Sequence, residues 1–239
     1  NTDKKITPLV HYYLGWLHEK NGNAEEALKY YQEAADDNTS IVFPNKIEEI
    51  IILQAAIAMN PSDAKANYYL GNLWYDKRQY DEAIECWEKS IQINKNFATP
   101  YRNLAIAYYN KRNDKQKALQ YLEKAFALDD SDARVLMELD QLYKLLNKPF
   151  KERLQLLEKY AHLVEQRDDL YIERITLYNN LKEYTKAKKL LAARHFHPWE
   201  GGEGKVTSQY LLCHTELAKQ AILNQRFNEA LSLLNIARN

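Results

Sequence analysis

The sequence predicts an all-α chain: a right-handed α-solenoid of antiparallel helix pairs, about thirteen helices in all. Gly and Pro are scarce, six of each among 239 residues, so the chain has few places to turn. A small residue with an aromatic three places on recurs as Gly71/Trp74, Ala105/Tyr108 and Asp140/Tyr143, in steps of 34 and 35 residues. The prolines keep a related phase. Pro8, Pro44, Pro100 and Pro149 stand where a first helical turn tolerates a missing N–H, and Pro61 falls just past a helix end.

Taken in order, the elements repeat one pattern. Leu14-Gly15 with His18, then Ala27 and Tyr31, mark a first helix pair over about 8–41. Leu70-Gly71 with Trp74, then Ala83 and Trp87, mark a second over 64–97. Leu104-Ala105, Tyr108 and Ala118 define 98–132, and Leu139-Asp140 with Tyr143 define 133–167. Tyr178, Ala187 and Leu191 define 168–194, and Ala230 with Leu234 define 205–239. The spacing resembles that of the tetratricopeptide repeat (TPR) over essentially the whole chain. A small residue lets two antiparallel helices approach and an aromatic fills the space beside it. Asp140 breaks that rule, so its pair either crosses at a wider distance or buries a carboxylate that needs a partner.

Two excesses interrupt the period. Residues 44–59 supply an extra amphipathic helix with Ile47, Ile50, Ile51, Leu53 and Ile57 on its apolar side, and His195–Gly204 supply a Gly-rich loop, HFHPWEGGEG.

Thirty-three basic side chains balance 33 acidic ones, which leaves no footprint for nucleic acid or an anionic membrane. No apolar run approaches the ~20 residues that cross a bilayer, and no signal peptide opens the chain, so a cytoplasmic protein is expected. Cys86 and Cys213 lack CxxC companions and read as core residues; neither metal nor cofactor is expected. Asn38-Thr39-Ser40 fits a glycosylation acceptor, a common tripeptide.

Helical arrays of this kind bind on the face made by their first helices. Tyr12, Trp16, Lys65, Tyr68, Asn72, Tyr75, Arg102, Asn103, Tyr109, Arg134, Met137 and Gln141 occupy that face, a mixture suited to an extended polar ligand such as a protein segment or peptide. The same tyrosines also read as packing between repeats. Asn72, Asn103 and Arg134 match places in the carboxylate clamp of chaperone-binding TPR proteins, but Tyr68 and Glu138 replace its Lys and Arg. The loop gathers His195, His197, Trp199, Glu200 and Glu203. They suit paired-carboxylate chemistry, an HxH metal site, Trp stacking on a sugar, or simply a folded connection plugged by Trp199.

Phe43-Pro44-Asn45, the stretch from Asn60-Pro61-Ser62-Asp63 to Gly71-Asn72-Leu73, Glu138-Leu139-Asp140-Gln141-Leu142 and the loop itself resemble a narrower group. These are large bacterial multidomain proteins that join a galactose-mutarotase-like β-sandwich to a long TPR array. The resemblance implies a bacterial, non-catalytic excerpt of a larger protein, whose TPR part supports a carbohydrate-related sandwich on its N-terminal side. Its partners would be a protein, a peptide or that sandwich.

Overall fold

The computed structural model describes residues 7–37, 42–199 and 201–238. They form fourteen α-helices and no strand, in two compact units, Asn1–Asp129 and Asp130–Asn239.

The first unit holds α1 (Pro8–Lys20), α2 (Ala24–Asp36), α3 (Glu48–Met59), α4 (Ala64–Asp76), α5 (Tyr80–Ile93), α6 (Ala98–Asn110) and α7 (Lys115–Leu128). Pairs α1/α2, α4/α5 and α6/α7 pack tightly. A Cβ on Gly15 would lie 2.6 Å from the Tyr31 ring, and one on Gly71 would lie 2.5 Å from the Trp87 indole. The crossings therefore require the small residue that the sequence places there.

Each pair turns through the same device. Gly22, Arg78 and Asn113 here, and Asn147, Lys182 and Gln225 in the second unit, have φ between 52° and 79°. The N–H after each bonds back to a carbonyl of the preceding helix at 2.8–3.0 Å, so an αL residue closes every first helix. These positions are 56, 35, 34, 35 and 43 residues apart, the spacing of the side-chain repeat with both its irregularities.

The extra helix α3 packs on α1 and α4. It starts at Glu48, four residues after Pro44, which is buried ahead of the helix and outside its first turn. Of the expected apolar side, Ile50, Leu53 and Ile57 pack into the core, and Ile47 and Ile51 do not. Ile52, Leu53 and Ala56 face inward with Glu49, whereas Ile47 and Ile51 are exposed. Glu49 turns in because its carboxylate accepts the Asn45 and Lys46 N–H groups at 2.7 and 2.9 Å, which satisfies the helix entry. Tyr12 also departs from expectation. It is fully buried, its hydroxyl donating to Asp63 Oδ2 at 2.8 Å, and Asp63 caps α4 through the Ala66 N–H.

The second unit holds α8 (Ala133–Leu145), α9 (Phe150–Lys159), α10 (Ala161–Val164), α11 (Asp168–Asn180), α12 (Tyr184–Ala193), α13 (Lys205–Leu223) and α14 (Phe227–Arg238). The fourteenth helix arises where Tyr160, at φ −110° and ψ 38°, leaves helical geometry and separates α9 from the short α10. Asp140 resolves as a buried carboxylate with a partner. Arg153 of α9 grips it through Nε at 3.0 Å and Nη2 at 2.7 Å and reaches Glu173 of α11 at 2.7 Å.

Candidate functional site

A cavity of about 740 Å³ opens in the first unit, walled by α4 and α6. From α4 come Lys65, Tyr68, Asn72 and Tyr75, spaced three or four residues apart and hence on one face. From α6 come Thr99, the adjacent Arg102 and Asn103, and Ile106, which share one face because each flanking residue lies three or four places from that pair. Trp87 of α5 forms part of the lining, Phe97 stands at the start of α6, and Asp37, Val42 and Phe43 line it from the segment between α2 and α3.

The polar centre of this cavity is oriented by its neighbours. Trp87 Nε1, a donor only, reaches Asn72 Oδ1 at 3.0 Å and the Tyr68 carbonyl at 3.2 Å. Asn103 Nδ2 donates to the same Asn72 oxygen at 2.9 Å. The indole thereby sets which way the Asn72 amide points, and Asn72 sets Asn103. Around them the Tyr68 ring meets Phe97 edge-on at 5.0 Å, and Tyr75 lies 5.4 Å from Trp87 and 5.1 Å from Tyr80. Lys65 Nζ donates to the Asp37 carbonyl at 2.5 Å. Burial pushes the Tyr69 phenol up to about 12, so it stays protonated at the cavity wall. Two cations, Lys65 and Arg102, face two carboxylates, Asp37 and Asp76, and the lining has no net charge.

The structure thus brings Tyr68, Asn72, Tyr75, Arg102 and Asn103 to one cavity. Arg134 belongs to the second unit, where it is exposed and pairs with Glu138 at 3.4 Å. Phe43, Phe97, Asp37 and Asp76 were missed by sequence reasoning. The only available signal was position, Phe43 before Pro44 and Phe97 one residue ahead of a repeat's first helix.

The Gly-rich loop is a docked connection. Asp168 of α11 accepts the His197 backbone N–H at 2.9 Å and Arg194 Nε at 2.5 Å. Burial pushes the Asp168 carboxyl up, but these donors outweigh it and hold the group below its usual range. Arg194 lies over the Tyr171 ring at 4.4 Å, and Phe196 packs edge-on against the same ring at 5.8 Å. Trp199 lies so close to Gly202 that no Cβ would fit between them. His195 and His197 are exposed with rings 5.7 Å apart, and Glu203 is exposed. Glu200 and the tripeptide Asn38-Thr39-Ser40 lie outside the described residues. Among the described residues no cluster of His, Cys, Asp or Glu could hold a metal ion, and no helix is long and apolar enough to cross a membrane. Both cysteines are buried, which pushes their thiols up to about 11.

Helix pairs of this length, crossing on Gly or Ala and turning through one αL residue, have the geometry of tetratricopeptide repeats. Family models agree: one described as TPR repeat matches residues 71–112, and one described as Tetratricopeptide repeat matches residues 8–38. Among solved structures the chain is similar to YrrB, a TPR protein with an unusual peptide-binding site, at TM-score 0.54 and 19% identity, covering 77% of this chain and 90% of YrrB. It is also similar to Pseudomonas aeruginosa pilF, at TM-score 0.51 and 18% identity over 97% of this chain and 90% of that one. In sequence it is 26% identical over 186 residues to a BBSome complex member BBS4 homolog of Drosophila melanogaster, covering 65% of this chain. The chain spans 37% of that relative's length.

Proposed function

We propose that this chain is a non-catalytic protein-interaction scaffold whose first unit holds an extended peptide segment in the cavity between α4 and α6. The observation that carries this reading is the Asn72–Asn103 pair, locked by Trp87. With Asn72 Oδ1 taken by two donors, Asn72 Nδ2 and Asn103 Oδ1 are the groups left to a ligand. One donates and the other accepts, which matches the carbonyl and N–H of a main-chain peptide unit. Aromatic rings on either side suit alternating side chains of an extended segment, and the cavity volume lies within the range of pockets that enclose a ligand. The peptide-binding site of YrrB, on a similar fold, is in keeping with it.

The sequence resemblance also offers the loop at 195–204 as support for a carbohydrate-related β-sandwich. The geometry favours the groove, because Phe196 and Trp199 of that loop pack against the chain's own Tyr171 and Gly202. The test is capture of a protein partner by the purified chain, followed by calorimetry on the minimal segment of that partner. Asn72→Ala and Asn103→Ala should each weaken binding about tenfold, equivalent to one lost buried hydrogen-bonded contact. Full affinity in both variants would refute the groove.

A further inference from the structure

Helix α3, the insertion that interrupts the repeat, exposes apolar surface that its own packing does not use. Its sequence, EEIIILQAAIAM, is apolar nearly all round, which suits a helix covered on more than one side. Ile52, Leu53 and Ala56 are buried inward. Ile47 and Ile51, one turn apart on the outer side, are 71% and 57% exposed. Four residues before Ile47 stands Phe43, also 71% exposed and at the same time a wall of the cavity. Phe43 thus belongs to the cavity wall and precedes the exposed Ile47 and Ile51 in the segment that leads into α3.

That ridge is held in place before any ligand arrives. Glu49 accepts the N–H groups of Asn45 and Lys46, and Lys77 Nζ donates to the Asn45 carbonyl at 2.8 Å. Pro44, next to Phe43, is buried. The charges beside the ridge, Lys46 and Glu48, are exposed and cancel, so it selects by apolar contact. Resting on the groove reading, we infer that the ligand is bipartite: an extended stretch read by Asn72 and Asn103, continued by large apolar side chains that pack on Phe43, Ile47 and Ile51. The shared residue Phe43 makes the same peptide the natural occupant of both surfaces.

The experiment is to pan a phage-displayed random dodecapeptide library on the whole chain and measure the enriched peptides by fluorescence anisotropy. The targets are the wild type, Asn103→Ala, and the double variant Ile47→Ser/Ile51→Ser, whose exposed positions should leave circular dichroism and melting unchanged. Enriched peptides should carry large apolar residues toward one end. They should lose about tenfold in affinity on the double variant, and trimming the apolar end should abolish that loss. Peptides weakened by Asn103→Ala but indifferent to the double variant would overturn the ridge and leave the groove standing. Peptides that respond to the double variant but ignore Asn103→Ala would refute the groove reading, and the bipartite ligand with it. A concentration-dependent dimer in ligand-free sedimentation, abolished by the double variant, would assign the ridge to a second copy and also overturn the proposal.

Discussion

Replacing Asp140 with Ala removes the anion gripped by a guanidinium that is only 2% exposed. Arg153 makes three bonds to carboxylates, two of them to Asp140, and keeps only the 2.7 Å contact to Glu173 in the variant. Hydrogen bonds between charged groups contribute ~1.5–3 kcal/mol each, and breaking a buried pair by deleting one partner costs ~3–5 kcal/mol. Glu173 offsets part of the loss, although it also takes Lys144 Nζ at 3.0 Å, so the expected cost is about 3 kcal/mol. In a unit of this size that lowers the melting temperature by roughly 10–15 °C. Scanning calorimetry and urea titration give both quantities. The companion variant Asp140→Leu/Arg153→Leu deletes both charges and fills the space with apolar volume, and should lose less than Asp140→Ala alone. A loss below about 1 kcal/mol in Asp140→Ala, or a double-variant loss as large as the sum of the two single ones, would refute the claim that an orphaned buried charge is the dominant cost.

Gly71→Ala should destabilise by ~1–2 kcal/mol in urea: the gain of about 1 kcal/mol in helix propensity is outweighed because the Cβ meets Trp87, which Asn72 and Tyr68 hold, and the Ala83 carbonyl at 3.1 Å. Gly22→Ala should cost ~1 kcal/mol through backbone strain alone, since nothing lies within 4 Å of the added Cβ, whereas Arg78→Gly, at φ 63°, should raise the urea midpoint. The Asp168 carboxyl is held below its usual range in the folded chain, so its contribution is complete above its unfolded value near ~3.9 and fades as pH falls through the lower folded value. Asp168→Asn should therefore lower the urea midpoint at pH 6 more than at pH 2.5, and equal losses at both would show that the His197 and Arg194 contacts do not depend on the charge.

What could be read from the sequence follows from which constraints act on side chains. The small residue at a helix crossing is forced by packing, so Gly15 and Gly71 disclosed the repeat phase. The turns obey an equally strict rule on the backbone, but only Gly22, Asn113 and Asn147 are residues that favour it. Arg78, Lys182 and Gln225 hold the same αL conformation with side chains that give no sign of it. In α3 the pattern found Ile50, Leu53 and Ile57 but misplaced Ile47 and Ile51, because the helix is apolar on nearly every side and the hydrogen bonds from Asn45 and Lys46 turn Glu49 inward.

The candidate site divides along the same line. Tyr68, Asn72, Tyr75, Arg102 and Asn103 were legible because helical periodicity alone puts them on a common face of two first helices. Tyr12 has the same periodic credentials, yet it is fully buried beside α3 and Tyr69, and its hydroxyl is spent on the Asp63 cap. The residues that convert a helix face into a cavity, Asp37 at the end of α2 and Phe43 beyond the first repeat above all, depend on the path of the segment between α2 and α3. The inserted segment therefore acts on the groove by supplying Phe43 to its wall. On the proposed groove reading, specificity should lie in that insertion, because the contact proposed for Asn72 and Asn103 is to the main chain, which any extended segment carries.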